Sequence, residues 1–509
     1  MKPSVLIIGA GIGGIAAAAR LAKNGYAVTV VEKNEQPGGR CGQLIHEGHR
    51  FDIGPTLFLM PEVWEETFAA LGERMSDHLD LRRIDPTYKV HFEDGLQITL
   101  TSNLGAMQAQ LEKIEKTAFS GFLHFIAEGS RHYKISLEKF VGRNFYSLWE
   151  YFSPSNLPLL FQLKALVKHY DNVGRYFQDP RLRAAFTFQN MYLGLSPYEA
   201  PATYSLLQYT ELAEGVWYPI GGMYAAIQAL TRIAEKLGVR FLYSSEVTQI
   251  DLGSDRVESI RLKDGSTLQA DLYIANADLP YVYKELLRDA QAKRKFDRML
   301  YTCSTLMFYW GVDKPYPQIA LHNVFLSGDY KSSFERIFKD HTLPDAPSFY
   351  VHAPVRVDPS AAPPGQETLF ILVPVGHLDE ERPQNWDELV QRAREAVLSR
   401  LAKEMDAADL AQHIKFEVVY TAQDWKQRFN LDKGAAFGLS HNFWQVGYFR
   451  PHNRHKRYRN LYFVGASTHP GTGLPIVLLS ARLTTERIQR EIGSLLPQAS
   501  SSLASTLTA

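Results

Sequence analysis

Gly9, Gly11 and Gly14 form a GxGxxG, and Glu32 closes the next apolar run. Glycines at this spacing let backbone N–H groups approach a phosphate, whose negative charge the start of a following helix favours. A carboxylate at the place of Glu32 accepts hydrogen bonds from the ribose hydroxyls of an adenosine. That chemistry needs a strand before the turn and a helix after it. Residues 5–8 are β-branched or leucine, residues 15–21 form an alanine-rich helical pattern stopped by Asn24-Gly25, and residues 27–31 read as a second strand. A glycine-rich turn alone needs no ligand, but these parts in this order describe a dinucleotide site. They do not separate NAD from FAD.

The next residues do. Lys33 follows the acidic residue, then come Gly38-Gly39-Arg40 and Phe51-Asp52-Ile53-Gly54-Pro55-Thr56. The arrangement resembles the FAD-binding amine oxidase and carotenoid desaturase superfamily, in which the double glycine and the arginine lie along the phosphates and ribityl chain of FAD. A guanidinium beside a pyrophosphate makes planar, charge-assisted bonds that a lysine does not match. Near the C-terminus, residues 449–454, 460–465 and 468–475 look like the bacterial and fungal type of phytoene desaturase, as do Gly215-Val216-Trp217-Tyr218-Pro219 with Gly221-Gly222, and Tyr350-Val351-His352-Ala353-Pro354. The resemblance spans nearly the whole chain. It implies non-covalent FAD held by Gly9, Gly11, Gly14, Glu32, Lys33, Gly38, Gly39, Arg40, Gly54, Pro55 and Thr56. It also places the Val247 backbone against the adenine and Asn276 at the exit from the flavin domain. Gly465, Gly473, Leu474, Pro475 and Ile476 then supply a second helix start at the isoalloxazine end, where it stabilises negative charge on the reduced ring.

The activity implied is successive desaturation of phytoene, a hydrophobic polyene, with a quinone or oxygen as electron acceptor. Oxidised FAD accepts one of the two departing hydrogens as hydride, so the protein mainly positions the chain and excludes water. Members of the family have an aspartate, followed three residues later by an arginine, proposed near the reacting end of the polyene. Matching around Ser147-Leu148 puts Glu150 and Ser153 there, so Glu150 is the candidate catalytic carboxylate and the arginine is missing. Arg183 matches a family position and reads as a helix-surface salt bridge, while Ile220 stands where members often carry a basic residue. Competing readings on the same scaffold are a desaturase of later carotenoids, a carotenoid isomerase, a retinol-type saturase, an amine oxidase, and a non-enzymatic module of the GDP-dissociation-inhibitor kind. His441, His452, His455 and His469 form no HExxH or paired Cys/His set, so no metal is expected, and no GxSxG argues for hydrolysis.

The elements that position these residues follow from pattern and length. With 509 residues, 45% apolar and 22% charged, the chain has room for several cores. Basic and acidic residues balance at 55 each, which offers no global field for nucleic acid. Cys41 and Cys303 are far apart and read as buried thiols in a reducing compartment. No signal peptide or spanning segment is visible, so a cytoplasmic protein is expected, and residues 493–509 read as a disordered tail.

Residues 239–250 and 271–275 read as strands returning to the flavin domain, and residues 305–312 and 368–375 as strands of the other domain. The expected fold class is α/β: a discontinuous Rossmann-like FAD-binding domain of residues 1–85, 220–292 and 448–492. Residues 86–219 and 293–447 form a mixed α+β substrate domain whose portion 105–219 is helical.

Leu160, Leu163, Leu166, Val167 and Tyr170 follow helical spacing from Leu159 onward, with Asn156 as cap and Pro158 in the first turn. Aromatic residues from Phe145 to Phe152 precede them. Such a stripe is a core face or a membrane-contacting surface. A forty-carbon polyene loses on the order of 30 kcal/mol on leaving lipid for water, at about 0.8 kcal/mol per methylene-sized group. The carotenoid resemblance therefore implies docking on the membrane surface by a peripheral enzyme.

Overall fold

The apolar run at the N-terminus folds as the strand Ser4–Ile8, whose sheet partners come from distant parts of the chain. The order is Leu461–Phe463, Leu272–Ala275, Ser4–Ile8, Ala27–Val31 and Arg240–Leu242, with every pairing parallel. Parallel neighbours need a crossover, and the helix Ile12–Lys23 supplies the one between Ser4–Ile8 and Ala27–Val31. Ala16 to Ala19 on that helix are fully buried, small enough for the helices Tyr224–Lys236 and Leu474–Leu495 to pack closely against it. The opposite face is covered by an antiparallel sheet of Val247–Leu252, Val257–Leu262 and Thr267–Leu268. This computed structural model describes residues 3–495.

A second, seven-stranded sheet runs Ile414–Tyr420, Ser304–Val312, Glu367–Val375, Phe349–His352, His322–Leu326, Tyr88–Phe92 and Gln97–Leu100. It is antiparallel except where His322–Leu326 meets Tyr88–Phe92. The helix Trp386–Glu404 packs on one part of it, and Leu104–Ile114 and Ala118–Ile135 pack near its other end. Ser304–Val312 is buried along its whole length, as a strand covered on both faces must be.

Several elements depart from the expectations. Residues 239–250 do not make one strand. Arg240–Leu242 joins the parallel sheet and Val247–Leu252 the antiparallel one, because Ser244 turns the chain through a left-handed conformation at φ +50°. The helix expected from Leu159 onward is also broken. Leu157–Gln162 ends where Lys164 adopts φ +50°, and a new helix spans His169–Val173. The Lys164 ammonium is pinned to Glu128 and, at 2.8 Å, to Asn172, partners that a straight helix would not bring to it. Asn156 stands at the N-cap position of Leu157–Gln162 but its side chain makes no cap bond there; its amide instead donates to the carbonyls of Glu150 at 2.8 Å and Tyr151 at 3.2 Å, at the end of the preceding short helix. The C-terminal helix continues to Leu495, three residues into the expected tail, and the rest of that tail lies outside the described residues. Cys41 and Cys303 are both buried and free. Among the described residues no helix is long and apolar enough to cross a membrane.

Candidate functional site

The carboxyl end of Ser4–Ile8 opens directly into the glycine turn. Gly9 has φ +99°, and a Cβ there would lie 2.9 Å from the carbonyl oxygen of Asn276. At Gly14 a Cβ would sit 2.2 Å from the Gly9 carbonyl oxygen, so the helix could not rise this close to the turn that starts it. Asn276 locks the loop from the neighbouring strand end, donating from its side-chain amide to Gly9 O at 3.1 Å and Gly11 O at 3.4 Å. Glu32 is buried beneath. One carboxylate oxygen accepts from Ala10 N at 2.7 Å, and the other accepts from the backbone and side-chain nitrogens of Asn34, both at 2.8 Å. An ionised carboxylate has about four lone-pair sites, so capacity remains for a ribose hydroxyl.

Gly38 donates to Ala10 O at 2.8 Å and pairs with Gly11, which seats the double glycine against the first loop. Gly9, Gly11, Gly38, Gly39 and Arg40 line a single cavity of about 620 Å3, within the range of small-molecule sites. Gly14 lies behind the loop, and its role is to let the helix approach. Lys33, also in the wall, donates to Gln427 O at 2.8 Å and Asn430 Oδ1 at 2.9 Å. Gly54, Pro55, Thr56, Val247 and Asn276 line the same space. So do Gly465, Gly473, Leu474, Pro475 and Ile476, at the start of Leu474–Leu495. Two helix N-termini therefore face one cavity, each with first-turn N–H groups that have no partner within the helix.

Buried charges tie these loops together. Asp278 accepts from Asp432 N at 2.9 Å and from the Ser467 hydroxyl; burial raises its pKa, and Arg40 opposes that shift. Half-buried Arg40 donates to Ala436 O at 2.8 Å. Arg450 is enclosed and donates to the carbonyls of Ala466 at 2.6 Å and of Ser440 and Gln445 at 3.0 Å each, which clamps the 439–445 loop to the 465–468 turn. Burial lowers its pKa to about 10, so it stays charged at neutral pH.

Beyond the glycine loops the cavity turns apolar. Its walls there include Leu160, Leu163, Phe188, Met191, Leu207 and Phe370. Tyr192 and Tyr350 are polar exceptions. The Tyr350 hydroxyl is 2.8 Å from Thr56 Oγ1 and 2.6 Å from His322 Nδ1, which joins the apolar half to the Gly54-Pro55-Thr56 loop.

Glu150 does not reach this space. It is exposed at the end of the four-residue helix Leu148–Tyr151, and it is absent from the cavity wall among the described residues. Its carboxylate accepts from Tyr146 N at 2.7 Å while its own N–H donates to Ser147 Oγ at 3.2 Å. Ser147 caps this helix start through its hydroxyl, and Glu150 bonds back to the residue before the cap. Among the described residues Arg183 forms no salt bridge; it donates to Phe177 O at 2.8 Å. His469 lines the cavity and contacts Arg143 O at 2.8 Å. Tyr192 carried no motif and escaped the sequence reading.

The chain matches the family described as flavin containing amine oxidoreductase over residues 12–489. The zeta-carotene-forming phytoene desaturase of Myxococcus xanthus is 48% identical over 487 residues, covering 95% of this chain and 93% of that protein. The phytoene desaturase of Phycomyces blakesleeanus is 44% identical, covering 96% and 85%. Among solved structures, an oxidoreductase from Methanosarcina mazei aligns with TM-score 0.61 and 18% identity over 95% of this chain and 100% of that one. Putrescine oxidase bound to putrescine aligns with TM-score 0.63 and 15% identity over 97% and 99%. At these identities the structures speak for the fold alone.

Proposed function

The chain belongs to the flavin-containing amine oxidoreductase family, and within it we propose an FAD-dependent carotene desaturase that converts phytoene to more conjugated carotenes. The observation that carries this is the continuity of one cavity from a glycine cradle with two helix N-termini into an apolar space. FAD, when bound, supplies the two-electron oxidation. The chain's own residues do the rest. Gly9 and Gly11 make room for the phosphates, Gly14 lets the helix start close behind them, Glu32 would take the ribose, and Arg40 would hold the pyrophosphate side. Lys33, Gly38, Gly39, Gly54, Pro55, Thr56, Val247 and Asn276 complete that half, and Gly465, Gly473, Leu474, Pro475 and Ile476 close the isoalloxazine end.

In this reading a Rossmann-like flavin domain comprises residues 1–85, 220–292 and 448–492, with 86–219 and 293–447 forming the substrate domain. An amine substrate would need a carboxylate or a cluster of polar partners, whereas the walls around Leu160, Phe188 and Phe370 are mostly apolar, with tyrosine hydroxyls such as those of Tyr192 and Tyr350 as exceptions. A lipid-carrying module without catalysis would have no use for both glycine-rich ends.

The substrate enters from a bilayer. Trp149, Phe161 and Leu166 are 86%, 78% and 75% exposed, and Trp444 is 68% exposed. Tyr151, Leu160, Leu163 and Ala165, interleaved with the first three, line the cavity. The same short segment is thus cavity wall on one side and apolar surface on the other, which suits a peripheral enzyme drawing polyene from lipid. A quinone dissolved in that lipid, or oxygen, takes the electrons. Expression in a bacterium that accumulates phytoene tests the function: extracted pigments with lengthened conjugation are the expected result. Unchanged phytoene beside folded, flavin-loaded protein would overturn it.

A further inference from the structure

Beneath the apolar half of the cavity lies a carboxylate with no role in holding FAD. Glu211 is 1% exposed and sits in a π-helical turn, Thr210–Glu214, directly after the helix Leu206–Tyr209. Single π-turns inside helical segments recur at functional sites because the extra residue re-aims side chains. Leu206, Leu207 and Thr210 on this segment line the cavity, while Glu211 points the other way, into a buried polar cluster.

The cluster forms a directed chain. Tyr192, a residue of the cavity wall, donates from its hydroxyl to the Tyr88 hydroxyl at 2.6 Å and also acts on the Glu211 carboxyl directly, and Tyr88 donates to Glu211 Oε1 at 3.3 Å. Gln189 donates to the other carboxylate oxygen at 3.3 Å and is itself held by Gln208 at 2.9 Å. The titratable groups facing Glu211 are the tyrosines: Tyr88 from the strand Tyr88–Phe92, Tyr192 from the turn Phe188–Leu193 and Tyr350 from the strand Phe349–His352. No cation is among the groups acting on it within the described residues. An unpaired buried carboxylate is costly, and three segments distant in sequence converge to hold this one.

We infer that Tyr192, Tyr88 and Glu211 form a proton relay that accepts the proton released when the polyene is desaturated. This rests on the desaturase function proposed above. One C–H bond of the substrate breaks with its electron pair, and that hydrogen leaves as hydride to the oxidised flavin. The electron pair of the C–H bond on the adjacent carbon closes the new C=C. Its proton passes to the Tyr192 oxygen as Tyr192 gives its own to Tyr88, and Tyr88 gives its own to Glu211. Both hydroxyls already point toward the carboxylate, so no rotation is needed before transfer. Tyr192 is the member that meets substrate; Tyr88 and Glu211 act through it.

The relay predicts a pH dependence, since Glu211 must be ionised to accept a proton and burial holds its pKa up near 8. FAD-loaded protein is mixed anaerobically with liposomes containing phytoene, and the rate of flavin bleaching is followed against pH. The wild-type rate is expected to rise with pH through about 8 and to level off above it. Glu211→Gln, which keeps the shape but cannot take the proton, is expected to lose that rise and to fall by about 100-fold, a common contribution of a general base. Tyr192→Phe keeps the carboxylate and cluster packing and is expected to show the same loss, so it decides the matter even if the glutamine variant fails to fold. A wild-type rate or an unchanged pH rise in either folded variant overturns the relay. Wild-type protein whose flavin is not bleached by phytoene at any pH overturns the desaturase function itself.

Discussion

Gly14 shows how little freedom the cofactor loop has. A methyl group there would meet the Gly9 carbonyl at 2.2 Å, and neither the turn nor the helix can retreat without losing Asn276 or the packing of Ala16 to Ala19. Gly14→Ala is expected to cost about 1–3 kcal/mol as an overpacked substitution and to lower flavin content at least tenfold, read from the ratio of flavin to protein absorbance. Glu150 behaves oppositely. Its exposure and its bond to Tyr146 N predict that Glu150→Gln keeps desaturation within about threefold of wild type, since an exposed helix-start pair contributes only about 1 kcal/mol. Abolished activity with intact flavin would return that carboxylate to the reaction. Glu211 affects stability as well as rate. Its carboxyl shifts from an ordinary 4.5 up to about 8 in the fold, because burial disfavours the charge. The folded state keeps a proton that the unfolded chain has lost. Its contribution to stability is therefore full below about 4.5 and is lost progressively as pH rises to about 8. Glutamine has no proton to lose, so the Tm of Glu211→Gln relative to wild type is expected to climb between about pH 4.5 and 8 and then level. A difference independent of pH would mean that Glu211 is ionised throughout. The loop glycines were legible because each answers to neighbours within a few residues. Glu211 was not, because Tyr88 lies 123 positions away and Gln189 22, and nothing local marks them as partners.

At the scale of elements, the segment from Leu148 to Leu166 does two jobs. Within the short helix Leu157–Gln162 and its cap, Leu160 and Leu163 turn inward and Phe161 outward, and the break at Lys164 carries Leu166 outward, off the stripe that its helical spacing would have kept it on. Trp149 and Phe161 are expected to insert into lipid, each contributing about 1.5–3 kcal/mol if fully buried there. Trp149→Glu combined with Phe161→Glu should reduce flotation with liposomes at least 100-fold while leaving flavin content unchanged. Undiminished flotation would place the docking surface elsewhere. The apolar spacing of this segment was visible in the sequence. Its break was not, since the Glu128 that pins Lys164 belongs to another helix. The opening strand, helix and second strand were legible for the opposite reason: capping, glycine and β-branched signals all act within that stretch, and the structure places them at Ser4–Ile8, Ile12–Lys23 and Ala27–Val31. The pairing of His322–Leu326 with Tyr88–Phe92 has no local signature at all.

Across the whole molecule, residues from the first strand to the last helix meet around one cavity. Arg450 clamps its C-terminal loops, Asn276 locks its N-terminal loop, and the seven-stranded sheet supplies Phe349, Tyr350 and Phe370 to its apolar wall. On the proposed function the flavin and the polyene would share this one enclosure, and oxidation of the chain would be coupled to reduction of the cofactor with water kept from between them. The measurement that tests this coupling most directly is a single-turnover titration. Purified, FAD-loaded protein is equilibrated anaerobically with phytoene-containing liposomes and no added acceptor, and bleached flavin is compared with new double bonds in the extracted product. One double bond per flavin bleached is the result predicted. Desaturation without flavin bleaching, or bleaching without a more conjugated product, would contradict the account.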